Sequence, residues 1–260
     1  MGKAHLEGFG SLKGVLNAKS ELYSYLAAHG GEAIIDGSDE VLLGRALELG
    51  VRRLVVAAGG ELSVQVKLVS QKPWLEVELV LGDEVQPVST RLVGAYNLQN
   101  ILLAAATGVH FGIPGKAIAE AISLYIPENQ RSQMLEGKRN YLVLDSYNAN
   151  PSSMREAIGG FLSYAKSPTM LILGDMAELG DASEEKHREL VQWMETLEVD
   201  RILLAGPQFH SVCEPSGRIG VFRGRAELES FLRRENPTGY HILLKGSRVM
   251  EFELLTPLLS

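Results

Sequence analysis

The sequence predicts an α/β protein in two parts, a mixed sheet with helices over residues 1–127 and a Rossmann-like, doubly wound parallel sheet over residues 128–260. Three observations carry this. In the second part five runs of nearly continuous Leu, Ile and Val alternate with helix-like segments. Residues 53–91 instead carry strand-like stretches with alternating or β-branched apolar positions, punctuated by Gly and Pro. Pro127, Glu128 and Asn129 interrupt the pattern between the two parts. Strands covered by helices on both faces must be apolar throughout, whereas a strand with one face in water needs apolar side chains only at every second position.

In the first part, Leu12, Val15, Leu16, Leu22, Leu26 and Ala27 keep one helical face apolar as far as about Ala28, with Lys19 on a different face. Gly30 and Gly31 stop that helix. Ala33 to Ile35, ending at Asp36 and Gly37, reads as a buried strand, and Asp39 to Leu49 as the helix after it. RLVVAA, ELSVQVKLV, WLEVELVLG and VQPVSTRLV then read as strands of an antiparallel or mixed sheet edge. Ala95 to Phe111 and Lys116 to Tyr125 form a helix pair, separated by Gly112 and Pro114.

In the second part the strands are YLVLD (141–145), TMLILGD (169–175), RILLAG (201–206), RIGVF (218–222) and HILLKG (241–246), with helices starting near Ser152, Ser183, Pro207, Arg225 and Ser247. Open α/β sheets bind ligands beyond the carboxyl ends of their strands. DSYNANP, GDMAELG and KGSR each follow a strand directly, so they are expected to share one rim.

Composition narrows the function. A formal charge of -7 and an acidic pI argue against a nucleic-acid binder or a protein lying on an anionic membrane, because both partners recruit clustered Lys and Arg. The single cysteine, Cys213, offers neither an internal disulfide nor a zinc site. MGKAHLEGFG has no apolar run behind its lysine, so it reads as neither a secretory signal nor an anchor, which leaves the cytoplasm as the expected compartment. No Gly-x-x-x-x-Gly-Lys-Ser/Thr or Gly-x-Gly-x-x-Gly string occurs.

DSYNANP ends a strand and opens a helix, with Pro151 and Ser152 suited to a helical first turn. Turn chemistry alone explains any two of its polar residues. The full set also fits a nucleoside, with the Asp145 carboxylate on ribose hydroxyls and the Tyr147 ring near the base. His187, in SEEKHREL, stands among charged neighbours and reads as a solvated helix residue.

Six segments in order, AHLEGFGSLKGVLNAKSELY (4–23), GAYNLQN (94–100), NQRSQM (129–134), DSYNANP, GDMAELG and KGSR, resemble the Mur ligase family in the wording of its D-alanyl-D-alanine-adding branch. The resemblance spans nearly the whole chain. It implies part of the family's central ATPase domain followed by its Rossmann-like C-terminal domain. It also implies an ATP-dependent amide ligase in peptidoglycan precursor synthesis: ATP phosphorylates the terminal carboxylate of a UDP-N-acetylmuramoyl-tripeptide, and the amine of D-alanyl-D-alanine attacks the acyl phosphate, with magnesium neutralising phosphoryl charge.

Residue by residue, the resemblance assigns magnesium to His5 and to Lys19 as its carbamate, an anionic oxygen ligand. It places Asn97 at the adenine, although the family more commonly has His where this chain has Tyr96, and brings Arg131 to nucleotide phosphate or ribose. Asp145 and Tyr147 complete the nucleotide set, while Asn148, Asn150, Asp175, Glu178, Lys245, Ser247 and Arg248 are expected to meet the peptide substrates. The family's UDP-binding domain, its Gly-rich phosphate loop and an upstream glutamate have no counterpart in residues 1–260. The resemblance therefore implies a chain that does not ligate alone and that self-associates through bared sheet edges, or else a stand-alone nucleoside- or peptide-binding module.

Overall fold

The computed structural model of the chain describes residues 11–56, 61–127 and 133–260, which divide between Ile126 and Pro127 into two compact units. In the first, helix α1 (Leu12–His29) starts at Ser11, whose Oγ accepts from Gly14 N–H at 3.1 Å, and ends at Gly30 in the left-handed region. Val15 is buried, and Tyr23 and Leu26 pack on Ala33, Ile35, Ala46 and Val51. Leu22 and Ala27, expected on the covered face, are exposed instead. The covered stripe is narrow because it rests on a two-stranded sheet, and Leu22 lies one position, roughly 100° of helix, away from it.

Strand β1 (Glu32–Asp36), helix α2 (Glu40–Glu48) and strand β2 (Arg52–Val56) form a βαβ unit with the strands parallel and in register from Glu32↔Arg52 to Asp36↔Val56. Arg53–Val56 of the RLVVAA run thus pair with β1 rather than with the strands after them, to which, among the described residues, a single bridge between Val56 and Leu62 leads. Strands β3 (Val64–Gln71), β4 (Trp74–Leu81) and β5 (Glu84–Val93) form the antiparallel meander. Leu75, Val77 and Leu79 of β4 face a core shared with Ile101 and Ala105 of α3 (Asn97–His110) and Ile118 of α4 (Gly115–Leu124).

The second unit is one six-stranded sheet. Its strands are β6 (Gln133–Glu136), β7 (Tyr141–Asp145), β8 (Thr169–Gly174), β9 (Arg201–Ala205), β10 (Ile219–Phe222) and β11 (His241–Lys245), in the order β10-β9-β8-β11-β7-β6. All pairs are parallel except β6 with β7. The antiparallel edge β6 begins at the end of the NQRSQM segment, where no strand was expected; four residues are too few to show a period.

Helices α5 (Pro151–Leu162), α6 (Ser183–Glu195) and α7 (Pro207–Val212) cover one face, where Val143, Leu171, Ile202 and Leu243 meet Ile158, Leu190 and Phe209. Helix α8 (Arg225–Glu235), a 3-10 turn at Phe252–Leu255 and α9 (Thr256–Leu259) cover the other, where Leu142, Ile172, Leu203 and Leu244 meet Leu228, Leu232 and Phe252. Both alternating sets are apolar, which is why these strands appear as continuous hydrophobic runs.

Candidate functional site at the carboxyl edge of the second sheet

Strand β11 lies between β7 and β8 with Lys245 level with Asp145 on one side and Leu173 on the other. After β7 and β8 the chain crosses to the face covered by α5 and α6, whereas after β11 it turns to the opposite face. Such a reversal opens a crevice at the strand ends, the usual ligand position of a doubly wound sheet. The three clusters that follow these strands meet there. Lys245 Nζ donates to Asp145 Oδ2 at 2.7 Å and to the Asn148 carbonyl at 3.1 Å, and Ser247 N–H donates to the Asp175 carbonyl at 3.1 Å. A Cβ on Gly246 would lie 3.1 Å from Gly174 Cα, so the two loops pass backbone against backbone.

Several of these polar groups have structural partners. Lys245 is 2% exposed and neutralises Asp145 across the strand pair. Asp175 is buried, and its carboxylate accepts from Gln208 N–H (2.9 Å) and Phe209 N–H (3.0 Å), so it caps α7. Gly206 adopts φ 135 directly beneath that carboxylate, where any Cβ would collide with it. Asn150 caps α5: its Oδ1 accepts from Ser153 N–H while Ser153 Oγ accepts from Asn150 N–H. Asn148 Oδ1 accepts from Ala149 N–H. Tyr147 is 43% exposed at this edge. Arg248 is exposed and paired with Glu253 at 3.1 Å. Glu178 holds φ 62, a conformation uncommon for a side-chain-bearing residue.

His187 is fully buried, contrary to the solvated position expected for it. Its Nε2 accepts from Met176 N–H at 3.0 Å, and Nδ1 lies 2.7 Å from the Ser183 carbonyl oxygen. Burial pushes its pKa below the ordinary histidine value. The sequence did carry a signal: His187, Leu190, Val191 and Met194 stand at i, i+3, i+4 and i+7, the covered stripe of α6.

Two family profiles match the chain: Mur ligase middle domain over residues 1–108 and Mur ligase, glutamate ligase domain, over residues 130–248. The chain belongs to the Mur ligase family. The Escherichia coli (strain K12) UDP-N-acetylmuramoyl-tripeptide--D-alanyl-D-alanine ligase is 31% identical over 96% of this chain and 56% of its own length. A crystal structure of MurF from Acinetobacter baumannii matches with TM-score 0.80 at 26% identity, covering 98% of this chain and 57% of that one. MurF from Thermotoga maritima, solved in complex with ADP, shares the fold at TM-score 0.79 and 20% identity over 99% of this chain and 59% of that one. This Mur ligase chain thus spans little more than half the length of the relatives it matches.

Of the remaining Mur motif residues, His5 and Arg131 lie outside the described residues. Lys19 is exposed on α1. Asn97 is buried at the start of α3, where Nδ2 donates to the Val93 carbonyl at 2.9 Å and Oδ1 accepts from Asn100 Nδ2 at 2.9 Å. Its second amide hydrogen and second oxygen lone pair are the groups left for a base. The described residues contain no group of three or more His, Cys, Asp or Glu side chains able to hold a metal ion, and an unmodified Lys19 is a cation that repels one.

Proposed function

We propose that this chain is the middle and C-terminal portion of an ATP-dependent ligase that joins D-alanyl-D-alanine to a UDP-N-acetylmuramoyl-tripeptide. The observation carrying the reading is the meeting of DSYNANP, GDMAELG and KGSR at one sheet edge, around the reversal at β11. The 31%-identical E. coli relative bears that activity in its name. In this reading the exposed Tyr147 ring lies near the base and Asp145, held in place by Lys245, meets the ribose. Arg131 reaches phosphate or ribose. Asn148, Glu178 and Arg248 supply the peptide side of the site. Asn150, Asp175 and Lys245 act mainly by holding the rim in shape, since their polar atoms are already bonded to it.

The described residues do not by themselves make a magnesium site, so no step is derived through that ion; His5 and a carbamylated Lys19 would be its proposed protein ligands. Residues 1–260 carry no P-loop string, so the β and γ phosphates of ATP lack a backbone amide cradle within them. The expected behaviour is no ligation by this chain alone. Self-association through the edges of the β1–β2 sheet is a further part of the proposal, read out as a concentration-dependent mass in sedimentation.

Mixing the chain with a separately produced P-loop portion of such a ligase is expected to restore ADP release dependent on D-alanyl-D-alanine and the UDP-linked tripeptide. Tyr147→Ala is expected to weaken nucleotide binding by about 5- to 100-fold, the worth of one stacked base. Silence of every such mixture, with nucleotide binding intact, would favour a binding module without turnover.

A further inference from the structure

The neighbours of His187 dictate its protonation state. The Ser183 carbonyl can only accept, so Nδ1 carries the hydrogen; Nε2 accepts from Met176 N–H and therefore carries none. The imidazole is neutral, packed edge-on against Phe209 with centroids 4.8 Å apart and rings at 83°. The charged group facing it is Asp175, whose Oδ1 lies 3.8 Å from Nε2 and is engaged by the Phe209 amide of α7. From its own helix it meets the Ser183 carbonyl and, at 3.4 Å, the Ser183 hydroxyl, which itself donates to Gln208 Oε1.

The bond from Met176 anchors a loop with an unusual path. Two residues beyond Met176, Glu178 holds φ 62, and Gly180 holds φ 54. A residue with a side chain persists in that region only where its surroundings over-determine the backbone. Met176 and Leu179 are buried on either side of Glu178, and His187 supplies the polar tie at the start of the loop.

We propose that His187 is a positioning residue of the ligase site: as a neutral acceptor it fixes the Met176 backbone and so holds the Glu178 loop in the shape that receives the incoming peptide amine substrate. This rests on the proposed function for its second half only. A protonated ring would turn a donor toward the Met176 donor, so the loop is held by the neutral form.

Two arms test it. On the unaltered chain, nitrogen NMR is expected to show a protonated Nδ1 and a bare Nε2 at neutral pH; the opposite tautomer, or a charged ring, overturns the proposal whether or not any variant folds. His187→Leu is expected to speed hydrogen exchange at Met176 by about tenfold while strands β8 and β9 keep their protection, and His187→Gln, which retains an acceptor, is expected to recover most of it. Unchanged exchange in His187→Leu overturns the anchor.

In the reconstituted ligase, His187→Leu is expected to raise KM for D-alanyl-D-alanine with kcat and the nucleotide KM little changed, with rescue by Gln. A loosened loop with unchanged KM overturns the positioning role. An inactive wild-type mixture sinks the ligase reading instead, and the exchange arm still decides what holds the loop.

Discussion

The two units bury their strands differently. In the second, Thr169–Gly174 is buried at every residue because helices lie on both faces. In the first, Leu75, Val77 and Leu79 are buried while Glu76 is exposed, because the described helices of that unit pack on one face of the meander. The two units also differ in where polar groups are placed. The second carries an ion pair, a capping carboxylate and a neutral imidazole inside its rim, whereas the ion pairs of the first, such as Arg45 with Glu48 and Arg52 with Glu32, lie nearer its surface. Interior polar groups make stability and site geometry depend on the same side chains; peripheral ones leave them separable.

The chain's two tryptophans allow the comparison to be broken unit by unit, since Trp74 belongs to β4 and Trp193 to α6. Lys245→Met removes the buried cation that faces Asp145 and is expected to cost about 3–5 kcal/mol, seen in denaturant unfolding followed at Trp193 but not at Trp74. Replacing both members by apolar residues is expected to return most of that loss. Leu79→Ala empties part of the first core and is expected to cost about 3 kcal/mol, with the order of the two probes reversed. Gly206→Ala forces an L-residue into φ 135 against the Asp175 carboxylate. It is expected to cost about 1–3 kcal/mol, again at Trp193.

The smallest expected effect is on pH. His187 titrates below its ordinary value when folded, so the unfolded chain takes up its proton first. The contribution of His187 is then fully present above about pH 6.5 and falls by at most about 1.4 kcal/mol per pH unit as pH drops from there toward the folded value. His187→Leu is expected to flatten that slope. Asp200 is held below the ordinary carboxylate value by bonds from the Thr169 amide and hydroxyl and from Ser167. Its contribution is lost only below about pH 4, so the two losses begin at different pH.

Much of this was legible in the residues. Continuous apolar runs announced the parallel strands, and the motifs following β7, β8 and β11 announced a shared rim because ligand sites sit at strand carboxyl ends. What was not legible had local causes. The partner of Arg52–Val56 is set by pairing across α2, which no period within the strand reveals. Asn150 and Asp175 bear residue types equally suited to ligands and to helix caps, and only the Ser153, Gln208 and Phe209 amides decide between these locally. His187 was misjudged because its charged sequence neighbours point elsewhere on α6; the stripe through Leu190, Val191 and Met194 was the better guide.

Strand β11 follows the other five strands of its sheet in the sequence, yet it sits between β7 and β8 and is the only neighbour they share in that sheet. During synthesis β7 and β8 therefore emerge with no strand between them, and the main-chain groups on their facing edges bond only water until His241–Lys245 leaves the ribosome. Vectorial folding can assemble β8, β9 and β10 early. The crevice itself can close only once that strand has been made, and until then the nascent second unit presents two open β-edges to chaperones.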